Sequence, residues 1–104
     1  MVEIRQRVYI SGPISGVKEY KNNFLEAETE LLSKGYAVVN PARLDGVLPE
    51  GLSYEEHMKV DLSLLDICDC IYMIDGWKNS PGADREYGYA LASGKEIMLQ
   101  GVGV

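Results

Sequence analysis

The residues best suited to chemistry lie in Ser80-Pro81-Gly82-Ala83-Asp84-Arg85-Glu86, a helix start that ends on a carboxylate. Pro81, Gly82 and Ala83 are small or ring-closed, so the first turn of that helix stands sterically open. Ala83 and Ala90 flank Glu86 at i−3 and i+4 on one stripe, which turns the carboxylate toward the protein and away from water. A carboxylate so directed is costly to desolvate unless it has partners or a task. The other reading is a surface Glu86 paired with Arg85 or Lys95. A second carboxylate, Asp61, has His57 one helical turn before it. That spacing suits an orienting hydrogen bond, or the plainer solvated helix ion pair.

A second kind of chemistry is open to Ser11-Gly12-Pro13-Ile14-Ser15-Gly16. Its glycines let backbone N–H groups approach an anion, and Ser11 and Ser15 add hydroxyls, so the loop could cradle a phosphate or a sugar. It could equally be a tight turn that needs glycine for its dihedral angles. It matches neither the dinucleotide fingerprint nor the phosphate loop ending in Gly-Lys-Ser/Thr. With one His and no Cys or Asp cluster at ligand spacing around it, no metal is expected. No serine elbow motif is present.

The elements that must position these groups alternate along the chain. Arg7-Val8-Tyr9-Ile10-Ser11 reads as a buried strand cut off by Gly12-Pro13. Between residues 18 and 33, Tyr20, Phe24, Ala27 and Leu31 draw one apolar stripe down a helix, with Gly35 as its left-handed cap. Tyr36-Ala37-Val38-Val39 is the next strand, and residues 42–52 read as a loop. Ser53-Tyr54-Glu55-Glu56 is a capping box that opens a helix with Met58, Leu62 and Leu65 inward. Cys70-Ile71-Tyr72-Met73-Ile74 is a strand. Ser80-Pro81 starts a helix with Tyr87, Ala90 and Leu91 inward, closed by Gly94, and Glu96-Ile97-Met98-Leu99 is the last strand.

This β-α-β-α-β-α-β order, with continuously apolar strands, predicts a three-layer α/β sandwich of flavodoxin/Rossmann-like type. Four or five parallel strands are expected, in the order 2-1-3-4. Ligands of such sheets bind beyond the C-terminal strand ends, at the switch in strand order. That singles out residues 11–16, 40–43 and 75–86.

The 104 residues fit one domain spanning 1–104. Ten Lys and Arg against 16 Asp and Glu leave a net charge of −6, which argues against long nucleic acid as a partner. An apolar fraction of 46% with 25% charged residues is the balance of a folded globular chain. No run is long and apolar enough to span a membrane, and Met1-Val2-Glu3-Ile4-Arg5 lacks a signal-peptide core, so a cytoplasmic protein is expected. Cys68 and Cys70, one residue apart in an apolar stretch, read as reduced structural thiols.

Taken together, Tyr9 to Gly16, Asn40-Pro41, Asp61-Leu62 with Cys68-Asp69, and Gly76-Trp77 followed by Ser80-Pro81-Gly82-Ala83-Asp84-Arg85-Glu86 resemble the nucleoside 2-deoxyribosyltransferase-like superfamily. The likeness is to its short, largely uncharacterised bacterial and phage branch, and runs from about Arg7 to Leu99. The resemblance implies a catalytic trio: Glu86 as nucleophile or stabilising carboxylate at an anomeric carbon, Tyr9 placing it, and Asp61 approaching the sugar and leaving base. It implies substrate contacts from Ser11, Gly12, Pro13, Ile14, Ser15, Gly16, Asn40, Trp77, Ser80 and Gly82, and no cofactor.

The implied activity is cleavage or transfer at the N-glycosidic bond of a small nucleoside or nucleoside 5′-monophosphate. The alternative is a binding or sensory module with the same cleft and no turnover. Ser80 stands where nucleoside transferases of the superfamily carry an acidic residue and where its monophosphate hydrolases carry serine, reaching a neighbouring subunit's phosphate. A nucleotide substrate and a homodimer are therefore expected. Ser15, in contrast, replaces the loop arginine of those hydrolases, and the C-terminal element that completes a partner's site is expected to be absent or reduced to Gly101-Val102-Gly103-Val104.

Overall fold

In a computed structural model, residues 5–102 are described. The chain's first four residues and the last two of its short tail, on which the readings of both ends partly rest, lie outside them. Four strands, β1 (Arg7–Ser11), β2 (Ala37–Val39), β3 (Cys70–Met73) and β4 (Glu96–Leu99), form one sheet in the order β2-β1-β3-β4. All neighbouring pairs are parallel, with Tyr9 opposite Val39 on one side and Ile71 on the other. This is the expected α/β sandwich and strand order. A fifth strand does not form among the described residues, where Val102 makes only an isolated antiparallel bridge to Leu99.

Helix α1 (Tyr20–Ser33) covers one face, and α2 (Tyr54–Asp66) and α3 (Pro81–Ala92) cover the other. The period of two along β1 decides which residue meets which helix. Val8 and Ile10, with Cys70 and Tyr72, pack on Phe24, Ala27 and Leu31 of α1. Tyr9, with Ile71 and Met73, packs on Leu65, Ala83 and Ala90 of α2 and α3. Each large side chain buried this way contributes roughly 1.5 to 3 kcal/mol.

Local chemistry fixes the helix starts. Glu56 N–H donates to Ser53 Oγ at 3.1 Å while Ser53 N–H donates to Glu56 Oε1 at 2.9 Å, closing the capping box of α2. Ser80 Oγ accepts from Ala83 N–H at 3.3 Å, and Pro81 opens α3. Several boundaries differ from the sequence reading. The first helix starts at Tyr20, the second strand at Ala37, and the third strand stops at Met73. The expected loop over 42–52 begins as a 3-10 turn, Pro41–Leu44, because Asn40 accepts from Ala42 N–H at 3.0 Å. Leu91 is exposed and Leu62 only half-buried. Cys68 and Cys70 are buried and free, and burial pushes their thiols up to about 11 and about 12. No described helix is long and apolar enough to cross a membrane.

Candidate active site

The strand order reverses beside β1, and the residues beyond its C-terminal end open a cleft there. Gly12 makes the first close approach: a Cβ at this position would lie 2.8 Å from Ile74 Cβ, so the loop leaves the sheet only with glycine here. Just before it, two residues apart on the same face of β1, Tyr9 and Ser11 point at α3. Tyr9 Oη donates to Glu86 Oε2 at 2.5 Å, and Ser11 Oγ donates to Glu86 Oε1 at 2.7 Å. Glu86 is 6% exposed, Ser11 1% and Tyr9 fully buried. The surface alternative for Glu86 fails on its proposed partners. Arg85 forks onto Glu55 on α2 at 2.9 and 3.2 Å, and Lys95 donates to the carbonyls of Asp66 and Cys68.

Burial pushes the Glu86 carboxyl up to about 7, against the downward pull of the Tyr9 and Ser11 hydrogen bonds and with a further push from Asp61. Burial, the Glu86 charge and the Asp61 charge hold the Tyr9 phenol well above its usual range, so it stays a donor at any ordinary pH. Asp61 is half-buried on α2, and burial raises its carboxyl to about 6, with the charge of His57 pulling down and that of Asp45 pushing up. His57 thus acts on Asp61 through its charge. Two carboxyls with ordinary values near 4 therefore titrate near neutrality within one cleft, each able to exist in both forms at physiological pH.

The cleft encloses about 1240 Å³. Of the residues singled out by sequence, Gly12, Pro13, Ile14, Ser15, Asp61, Ser80, Gly82 and Glu86 line it. Tyr9 and Ser11 stand behind Glu86, acting on it and not on the cavity. Three residues lie elsewhere. Gly16 is an exposed turn residue with φ of 77°. Asn40 is buried, donating to Glu28 Oε1 at 3.1 Å beside the Glu28–Arg43 pair. Trp77 stacks on Tyr87 at 4.5 Å in a separate concavity of about 520 Å³ toward β4, because Gly76, with φ of 89°, turns the chain away from the cleft.

The cleft also recruits Asn79, within the segment singled out by sequence, and Tyr20, Asn23, Asp45, Tyr54 and Met58, which sequence reasoning missed as site residues. Tyr54 and Met58 face Gly82 across the α2–α3 junction, with Met58 Sδ 3.7 Å from where a Gly82 Cβ would be. The glycines at 46 and 51 and Pro49, in a segment following a strand end, were the available signal for the wall that carries Asp45. Among the described residues no three His, Cys, Asp or Glu side chains come together to hold a metal ion.

The fold has counterparts among solved structures. A 2-deoxyribosyltransferase from Bacillus psychrosaccharolyticus superposes with a TM-score of 0.71 at 26% identity, over 89% of this chain and 70% of that one. A CMP N-glycosidase from Clostridium botulinum gives 0.64 at 26% identity, over 90% and 70%. A 2-deoxyribosyltransferase from Leishmania mexicana, at 18% identity and a TM-score of 0.68 over 90% and 63%, shares the fold. The molecule thus has the α/β fold of the deoxyribosyltransferases, as its motifs implied. Residues 6–99 match the family described as Domain of unknown function (DUF4406), and the chain belongs to that family. A search of curated proteins finds no significant match.

Proposed function

We propose that the protein cleaves or transfers at the N-glycosidic bond of a small nucleoside or nucleoside 5′-monophosphate, with Glu86 as nucleophile. The observation that carries this reading is the clamp on Glu86: a buried carboxylate held through both oxygens by Tyr9 and Ser11, at the wall of a cleft that also holds Asp61. The likeness at 26% identity to a 2-deoxyribosyltransferase and a CMP N-glycosidase supports the same class of chemistry.

In this reading the ionised Glu86 attacks the anomeric carbon through a free lone pair. The carbon–nitrogen bond breaks, its electron pair leaves with the base, and protonated Asp61 supplies the proton that neutralises that base. The oxocarbenium-like charge developing on the sugar is stabilised by the carboxylate it meets. Water or a second base then attacks the glycosyl-enzyme, giving its proton to Asp61 and releasing Glu86. Tyr9 and Ser11 fix the carboxylate's orientation, which limits the motion lost on reaching the transition state. A single domain acting as a homodimer in the cytoplasm belongs to the same reading.

The test is a panel of deoxynucleosides, ribonucleosides and their 5′-monophosphates, incubated with and without an acceptor base and analysed by chromatography for freed or exchanged base. Wild type releases or exchanges base, while Glu86→Ala and the isosteric Glu86→Gln do not. Release that survives both substitutions refutes the role of Glu86. Thermal stabilisation by a ligand without turnover by wild type would make the cleft a binding module.

A further inference from the structure

The cleft's charge distribution bears on a question the proposed reaction leaves open, whether the sugar carries a phosphate. Five carboxylates line the cavity: Asp45, Glu50, Asp61, Asp75 and Glu86. Against them stand Lys21 and His57, and the Lys21 ammonium already lies 4.0 Å from Asp45. The two arginines nearest in sequence to the cleft walls are spent elsewhere. Arg43 forks onto Glu28, with Nε 2.7 Å from Oε1, and Arg85 forks onto Glu55.

The start of α3 offers little backbone replacement. At the start of α3, Pro81 has no N–H, the Ala83 N–H goes to Ser80 Oγ, and the Asp84 N–H goes to the Ser80 carbonyl at 2.8 Å. That leaves Gly82 to serve an anion where a helix start usually offers several donors. Pro13 removes another donor from the middle of the loop after β1. Ser80, whose position in the sequence pointed toward a phosphate, has its oxygen engaged as the cap of α3.

A phosphate monoester carries a charge of about −1.5 to −2 at pH 7 and needs a forked cation or several N–H groups to replace its water. We propose that the substrate is an unphosphorylated nucleoside and that the acidic cleft actively discriminates against the matching 5′-monophosphate. This deepens the N-glycosidic reading and rests on it. The same field that repels a phosphate favours the positive charge that develops on a pentose when its base departs. A neutral substrate with hydroxyl and amino donors finds acceptors on every wall.

The experiment takes the full chain and matched pairs, each of the common deoxynucleosides and ribonucleosides with and without its 5′-phosphate. For every pair that reacts, kcat/KM is expected to be at least about 100-fold higher for the unphosphorylated member at low salt, with the gap narrowing as salt screens the cleft. Asp45→Asn removes one of the repelling charges and releases Lys21, and should narrow the ratio about tenfold. A monophosphate turned over as well as its nucleoside, or a ratio that neither salt nor Asp45→Asn moves, overturns the inference. If nothing is turned over, the reaction fails but the inference is still read from melting temperatures. Stabilisation by nucleosides and not by monophosphates supports it, while the reverse, or no shift from either, overturns it.

Discussion

Glu86→Gln should make the protein more stable and inert at once, with a gain that depends on pH. The native carboxyl titrates near 7 against an ordinary value of 4.5. A raised native value means that the folded state holds its proton more tightly than the unfolded chain. The stabilisation is complete below pH 4.5 and is lost as pH rises through 7. At about 1.4 kcal/mol per pH unit, ionising the buried group in alkaline solution costs the fold about 3 kcal/mol. Glutamine keeps the shape and can accept from Tyr9 but carries no titrating proton, so the penalty disappears. Urea unfolding of wild type and Glu86→Gln at pH 5.5 and 8.5 isolates the effect, because other titrating groups largely cancel between the two proteins. The difference should move in favour of the variant by about 2 kcal/mol from the lower pH to the higher. An equal difference at both pH values would mean that Glu86 is not held in its protonated form, and would refute the account of the site.

Four further outcomes follow from the same geometry. Tyr9→Phe leaves Glu86 Oε2 without its donor, and because the reactive form pairs an ionised Glu86 with a protonated Asp61 of lower value, the alkaline limb of the rate profile should move up by roughly one pH unit or more, with kcat falling at least about tenfold. Ser11→Ala should displace the same limb in the same direction with little change in KM, whereas a merely structural serine would leave the limb in place. Because the proposed reaction needs Glu86 ionised and Asp61 protonated, base release should follow a bell centred near pH 6.5, with about 6% of molecules correctly protonated at the maximum; Asp61→Asn should abolish the alkaline limb. Arg43→Met removes the charged partner of buried Glu28, leaving only Asn40, and should loosen the wall beyond Leu44, seen as faster limited proteolysis within residues 44–52.

Strands and helix starts were legible wherever one local rule acted alone. The capping box at Ser53 and the Ser80-Pro81 start each specify a backbone geometry through adjacent side chains, and both helices begin there. The inward turn of Glu86 was legible for a similar reason, since Ala83 and Ala90 share its stripe on α3. What the sequence hid depends on how separate elements meet. Asn40 and Trp77 both sit at strand ends, where ligands of such sheets bind, yet Asn40 satisfies buried Glu28 and Trp77 is carried to the far side by a left-handed Gly76. Ser11 was read as both the end of the first strand and a ligand contact; the strand holds, and its alternation aims the hydroxyl at Glu86. The lining role of Tyr54 and Asp45 arises only when α2 and the segment after β2 close on α3, a long-range outcome that no window of sequence contains.

The burial that makes Glu86 available to a substrate also works against its use. Full desolvation with no hydrogen bonds would keep the carboxyl protonated far above neutrality, where it could neither attack a sugar nor stabilise positive charge. Full exposure would leave it ionised but surrounded by water that competes with the substrate. The two donors from β1 set the compromise. Their spacing of two residues on one strand matches the two oxygens of one carboxylate, so a single pleat supplies both bonds. They bring the group down to about 7, within reach of ionisation, while Asp61 across the cleft keeps it from falling further. Part of the chain's surplus of acid acts within this cleft. Asp61 helps hold Glu86 near neutrality, Asp45 helps hold Asp61 near 6, and together they form a field that favours a cationic sugar and opposes an anionic one.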